Sequence, residues 1–359
     1  MPTPDVPLEK LGFLTIGLFD GDEPGPGHEN VLQVIELGEQ LGFDSAYLRH
    51  RHFQTGISSP IAIMAAASQR THRIAMGTAV TPLGWENPLR MAEDLATVDI
   101  LSGGRLQPGF SVGPPMHWDD VKGALYPDTA DAEDLSSERV ARLLRMIRGE
   151  PVSTFSGTAG FEQFSARVEP HSPGLADRIW YGSGSRRSTQ WAAEQGLNLL
   201  TSNILKPEPS DLETDGRWNF AAIQQRQIAL FKQHHPDGNA ARVSQGLVVI
   251  PTDSATSEQR AKYEAYVDKR TPRTVAPMGP PGPGLLAAPD ILGTSQEIAE
   301  KLYADAAFRE VREVVFALPF TFEHDDYVQI LTDMATSLGP ALGWKPPPER
   351  SVHQPPRRE

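Results

Sequence analysis

Short apolar runs of strand length alternate along this chain with longer stretches of helical period, and this alternation restricts the fold more than any other feature. The first run, residues 13–18 (FLTIGL), is followed by a Gly/Pro/Asp loop. Val31, Val34, Ile35 and Leu41 then recur at helical spacing, with Gly38 on the same face. The pairing repeats as residues 45–48 with an Ala-rich helix over 60–68, and as 74–78 with a helix over 88–101 that starts at a proline. It repeats again as residues 105–111 with a helix carried by Val140, Leu143, Leu144 and Ile147 and closed by Gly149. The second half continues with strands at 178–181, 198–200 and 242–250, and helices over 185–195, 219–235 and 257–267. Thr294 and Glu297 form a capping box that opens a further helix. A strand at 313–317 precedes a last helix marked by Tyr327, Leu331, Met334 and Leu338. Repeated strand–helix units predict a parallel sheet, and about eight of them predict an α/β fold of the (β/α)8 TIM-barrel type. No GxGxxG follows the first strand, which weakens an open dinucleotide-binding sheet.

Three segments interrupt the alternation. Residues 154–168 read as a small hairpin inserted before strand five, and residues 272–289 as a Pro/Gly-rich, lid-like insertion before the last unit. The expected division is a barrel over 1–345 and a Pro-rich flexible tail over 346–359. A chain of 359 residues can bury a core of this size without disulfides or metals, and it has no cysteine, which excludes thiolate and disulfide chemistry. Its net charge of −13 argues against phosphate-backbone binding of nucleic acid and against docking on an anionic membrane. No apolar run reaches spanning length and residues 1–10 carry no leader pattern, so the expectation is a soluble cytoplasmic protein.

In a barrel of this kind, chemistry sits at the C-terminal ends of the strands. The turn after strand five, Gly182 to Ser188 with Ser183, Gly184, Ser185, Arg186, Arg187 and Ser188, combines small residues, hydroxyls and arginines at a helix N-terminus. That composition suits an anion, most naturally a phosphate; the alternative is an ordinary βα loop with a serine cap. After strand two, strand alternation would send His50 and His52 to one side and Arg49 and Arg51 to the other. These four basic groups suit an anionic or electron-rich cofactor and a proton-transferring histidine; the alternative is a solvated strand end with one structural histidine. A metal held by His50 and His52 is set aside: no further ligand is evident, and the arginines would repel a cation. Trp85, Met116, His117, Trp118 and Phe320 are either substrate-lining or core.

The segments LGFDSAYLRHRHF, RIAMGTAV, NPLRMAEDLATVDILSGGRLQPG, WYGSGSRRSTQWAAEQGLNLLTS and SQEIAEKL occur in this order over most of the chain. Together they resemble the bacterial luciferase-like flavin-dependent monooxygenase family. The resemblance implies a barrel that binds reduced FMN delivered by a separate flavin reductase, reacts it with oxygen to a peroxyflavin and oxidises a small-molecule substrate, as a homodimer. Some relatives use a deazaflavin for hydride transfer, and some dimers pair an active chain with a silent one; both remain alternatives. By the same resemblance, Ser183, Gly184, Ser185 and Ser188, with Arg187, hold the cofactor phosphate. Ala79 and Val80 form a cis peptide beneath the flavin ring, Ser111 faces its reactive edge, and His52 matches the second histidine of an acidic-His-His stretch. Residues 272–289 fall where relatives carry a mobile lid. Two positions depart from the pattern: Arg51 replaces a catalytic histidine, and Val112 replaces an arginine that helps hold the phosphate. The catalytic candidates are therefore His50, Arg51, His52 and Ser111.

Overall fold

A computed structural model describes residues 7–279 and 284–347. Eight parallel strands form the centre: β1 Lys10–Thr15, β2 Ser45–Leu48, β3 Ala75–Thr78, β4 (Leu106–Gln107 and Gly109–Ser111 on either side of Pro108), β5 Trp180–Ser183, β6 Asn198–Thr201, β7 Val243–Gln245 and β8 Glu313–Ala317. Each pairs with the next in chain order, and β8 pairs with both β7 and β1, so the ladder runs in a closed circuit. Past β3 the chain regains the ladder at Thr81–Pro82, which pairs with the second part of β4. β2 and β8 are buried at every residue, as strands covered on both faces must be.

Helices α1 Pro24–Gln40, α2 Pro60–Ser68, α3 Pro88–Leu101, α4 Ser137–Ile147, α5 Arg186–Glu194, α6 Phe220–His234, α7 Ser295–Ala304 and α8 His324–Asp333 follow the strands in order. The expected stripe on α4, Val140, Leu143, Leu144 and Ile147, is buried. Gly38 on α1 faces Phe13 so closely that a Cβ there would stand 2.4 Å from the ring, which explains a glycine on the apolar face. The capping box of Thr294 and Glu297 opens α7 as expected.

Several boundaries differ from expectation. The first strand runs over 10–15 rather than 13–18, because Gly17, at φ 66°, turns the chain out of the ladder. The seventh strand breaks after Gln245. A Cβ at Gly246 would lie 2.8 Å from the Thr201 carbonyl oxygen, and beyond this crowded point Val249–Pro251 pairs instead with Ile291–Gly293. The inserted hairpin is present, with Gly157–Ala159 antiparallel to Glu162–Phe164. The Pro/Gly-rich segment contains a helix at Pro272–Val275 and a strand at Leu286–Ala287 that pairs with Ile204–Leu205 just past β6. Its residues 280–283, and residues 348–359 of the expected tail, lie outside the described residues.

Beyond α8 the chain returns beneath the barrel. Trp344 is 2% exposed, and its indole N–H donates to Asp44 Oδ2 at 2.8 Å, where the Leu11 amide also donates. Leu8 N donates to Leu342 O at 2.9 Å. Among the described residues no helix is long and apolar enough to cross a membrane.

Candidate active site

The C-terminal strand ends surround a cavity of about 300 Å³. Leu14 of β1, Leu200 of β6, and Val315 and Ala317 of β8 give it an apolar base. Arg49, His50 and Arg51 approach from the loop after β2, Ala79 and Val80 from the end of β3, Ser111 from β4, and Ser183 and Gly184 from β5. The Ala79–Val80 peptide is cis. Gly182 meets it from β5, where a Cβ would lie 2.6 Å from Val80 Cγ1.

The loop after β2 does not keep strand alternation. β2 ends at Leu48, so Arg49, His50 and Arg51 all line the cavity, whereas His52 is turned away from it. His52 stacks on Trp85 with ring centroids 4.0 Å apart, and its ring lies 4.4 Å from that of His50. His50 Nε2 sits 2.8 Å from Ser58 O. A carbonyl oxygen only accepts, so Nε2 carries the proton, and Nδ1 is a bare acceptor, buried with no partner among the described residues. Burial, helped by neighbouring His52, pulls His50 down to about 4 against the opposing Ser58 bond. Burial also lowers His52, whose Nε2 is likewise buried and unpartnered. Both imidazoles are therefore neutral near pH 7.

Glu86 was not foreseen. Its Oε1 lies 3.5 Å from His50 Nε2, and one ligand atom each from His50, His52 and Glu86 fall within 4.8 Å of one another. The missing carboxylate thus comes from the loop before α3, and no local pattern marks it. Burial raises the Glu86 carboxyl, with Asp94 adding to the effect and Arg139 opposing it.

The turn between β5 and α5 is held by its own hydroxyls. Ser185 and Ser188 form a reciprocal capping box, and Ser183 Oγ lies 2.8 Å from Ser188 Oγ and 2.6 Å from Thr189 Oγ1. Of this group only Ser183 and Gly184 line the cavity; Ser185 and Ser188 close the turn, and Arg187 is exposed. Arg186 contributes no free charge, because Asp211 at 2.5 Å and Glu208 at 3.5 Å neutralise it. The backbone N–H groups of Arg186 and Arg187 have no partner among the described residues. A Cβ at Gly184 would meet nothing within 4 Å. Free amides beside open space at a helix N-terminus fit an anion such as a phosphate. Val112 packs against the core and offers no substitute for an arginine. Trp85, Met116, His117, Trp118 and Phe320 are not part of the cavity wall, and Met116 is 62% exposed.

Residues 10–310 match the family model described as luciferase-like monooxygenase. The chain belongs to this family. Among luciferase-like relatives, it is 32% identical over 201 residues to limonene 1,2-monooxygenase of Rhodococcus erythropolis, covering 49% of this chain and 50% of that protein. It is 32% identical over 279 residues to an F420-dependent glucose-6-phosphate dehydrogenase of Kribbella flavida, covering 71% and 82%. The chain thus spans about half the length of the limonene enzyme and more of the F420-dependent one. The oxygenating constituent of 3,6-diketocamphane monooxygenase from Pseudomonas putida, solved in complex with FMN, shares the fold with a TM-score of 0.62 at 12% identity, covering 93% of this chain and 98% of that one. These relatives are oxidoreductases, and the luciferase-like barrel is the fold found here.

Proposed function

We propose that this chain is a flavin-dependent monooxygenase that takes reduced FMN from a separate reductase and uses oxygen to oxidise a small organic substrate. The observation that carries this reading is the cavity itself. One wall has Ser183 and Gly184, directly ahead of the free amides that open α5, and another has the cis Ala79–Val80 peptide, with Ser111 also lining the cavity. In this reading the turn of Ser183, Gly184, Ser185 and Ser188, with Arg187 at its rim, would hold the phosphate, and Ala79 and Val80 would support the ring. When bound, reduced FMN supplies the electrons that activate oxygen. His50 presents a neutral imidazole with a free acceptor, suited to taking a proton. Arg51 fixes a cation where the family resemblance implies a histidine; its guanidinium is no base at neutral pH but stabilises negative charge in the cavity, whether it develops in the reaction or is carried by a ligand. The apolar base keeps water from the reacting groups.

The extent of the match to the F420-dependent relative supports a second reading, hydride transfer with a deazaflavin. Calorimetric titration with FMN and with F420, followed by oxygen uptake with enzymatically reduced FMN, separates the two. FMN binding with oxygen uptake is expected. Flat FMN titrations with saturable F420 binding would replace the first reading by the second.

A further inference from the structure

Two arginines reach the cavity without an anion. Arg49 and Arg51 both line it, and neither guanidinium has an ion-pair or hydrogen-bond partner among the described residues. Arg270 beside them is different, because Asp290 pairs with it. The two guanidiniums of Arg49 and Arg270 lie over the Phe320 ring at 5.2 and 5.6 Å, which fixes Arg49 without neutralising it. Among the described residues no Asp or Glu lines the cavity, although the whole chain carries a charge of −13. Burial, with the like charges of Arg51 and Arg270, draws Arg49 down to about 10, so its surroundings disfavour a lone cation. A half-buried cation without a counter-charge is costly, and an anionic ligand reduces that cost.

The position separates this pair from the α5 turn. β2 and β5 stand three strands apart in the eight-strand circuit, so the arginines and the free α5 amides approach from different sides of the barrel mouth. Close to the arginines the wall is apolar, with Leu14, Val315 and Ala317. We propose that Arg49 and Arg51 form a second anion subsite that holds the carboxylate of a small organic substrate with an apolar body. The planar guanidinium fork matches a carboxylate in shape as well as charge. The assignment rests on the flavin reading only in giving the α5 side to the cofactor.

The test uses benzoate and its neutral isostere benzamide, titrated against the full chain by calorimetry with and without FMN. Benzoate is expected to bind at least about tenfold tighter than benzamide, the factor that a charge-assisted pair contributes. Arg49→Met and Arg51→Met should each shrink that preference, Arg49→Lys should keep part of it, and FMN affinity in Arg49→Met should stay within roughly threefold of wild type. Melting curves establish that each variant is folded. Equal affinities for the two probes in wild type would overturn the proposal, as would a preference that survives both methionine variants. Loss of FMN affinity with the preference intact would also overturn it, by assigning the arginines to the flavin. Benzoate preference without FMN binding would retain the subsite and remove the flavin reading; FMN binding without preference would do the reverse.

Discussion

At the scale of single residues, His50 joins the cavity to the stability of the fold. Its native imidazole is held neutral down to about 4, whereas in the unfolded chain it titrates near 6.5. Between those values the unfolded state binds more protons than the native one, so stability falls as pH falls and is fully present above about 6.5. The loss reaches up to about 1.4 kcal/mol per pH unit within the window. Denaturant unfolding from pH 7.5 to 4.5 should show that slope in the wild type, and a shallower one in His50→Gln, whose amide can still donate to Ser58 O; parallel slopes would disprove the assignment. The basic cluster around His50 is plain in the sequence because its members are neighbours. Glu86 and Asp211 are not, since each meets its partner only across the fold, 36 and 25 residues away from His50 and Arg186.

At the scale of elements, Asp99 of α3 ties three segments together. It is fully buried and accepts from both terminal nitrogens of Arg178 at 2.7 and 2.9 Å, from Ser172 Oγ, and from Leu106 N of β4. Asp99→Ala leaves Arg178, just ahead of β5, without its counter-charge, and should destabilise the protein by about 3–5 kcal/mol. Asp99→Asn, which keeps one acceptor, should cost less. Equilibrium unfolding reads both, and an Asp99→Ala cost below about 1 kcal/mol would show that the cluster is peripheral. The same scale shows what local pattern can and cannot reveal. The bounds of β2, α2, α3 and β8 are as expected, because each has a clean apolar run or a proline or capping start. β4 and β7 read as single strands, yet Pro108, which has no N–H to give the ladder, and Gly246, crowded by the Thr201 carbonyl, interrupt them. The cis Ala79–Val80 peptide carries no local signal and was expected only through family resemblance.

For the whole molecule, the two ends of the described chain meet under the barrel. Trp344 packs beside Phe43 and Gly339 and shares Asp44 with Leu11 of β1. Removing that indole with Trp344→Ala should cost about 3–5 kcal/mol. If the barrel unfolds as one unit, the loss will appear as a single transition moved to lower denaturant with unchanged slope. Two transitions would mean that the C-terminal segment melts by itself. The number of strand–helix units made the barrel legible, but this closure was not, because nothing in the sequence around Trp344 points to Asp44.

β8, the last of the eight barrel strands in chain order, is the one that fills the gap between β7 and β1. On the ribosome, therefore, the nascent polypeptide carries two unsatisfied strand margins until translation has passed Ala317 and that residue has left the exit tunnel. Stalled translation intermediates should be captured by ribosome-associated chaperones up to that length and released soon after it.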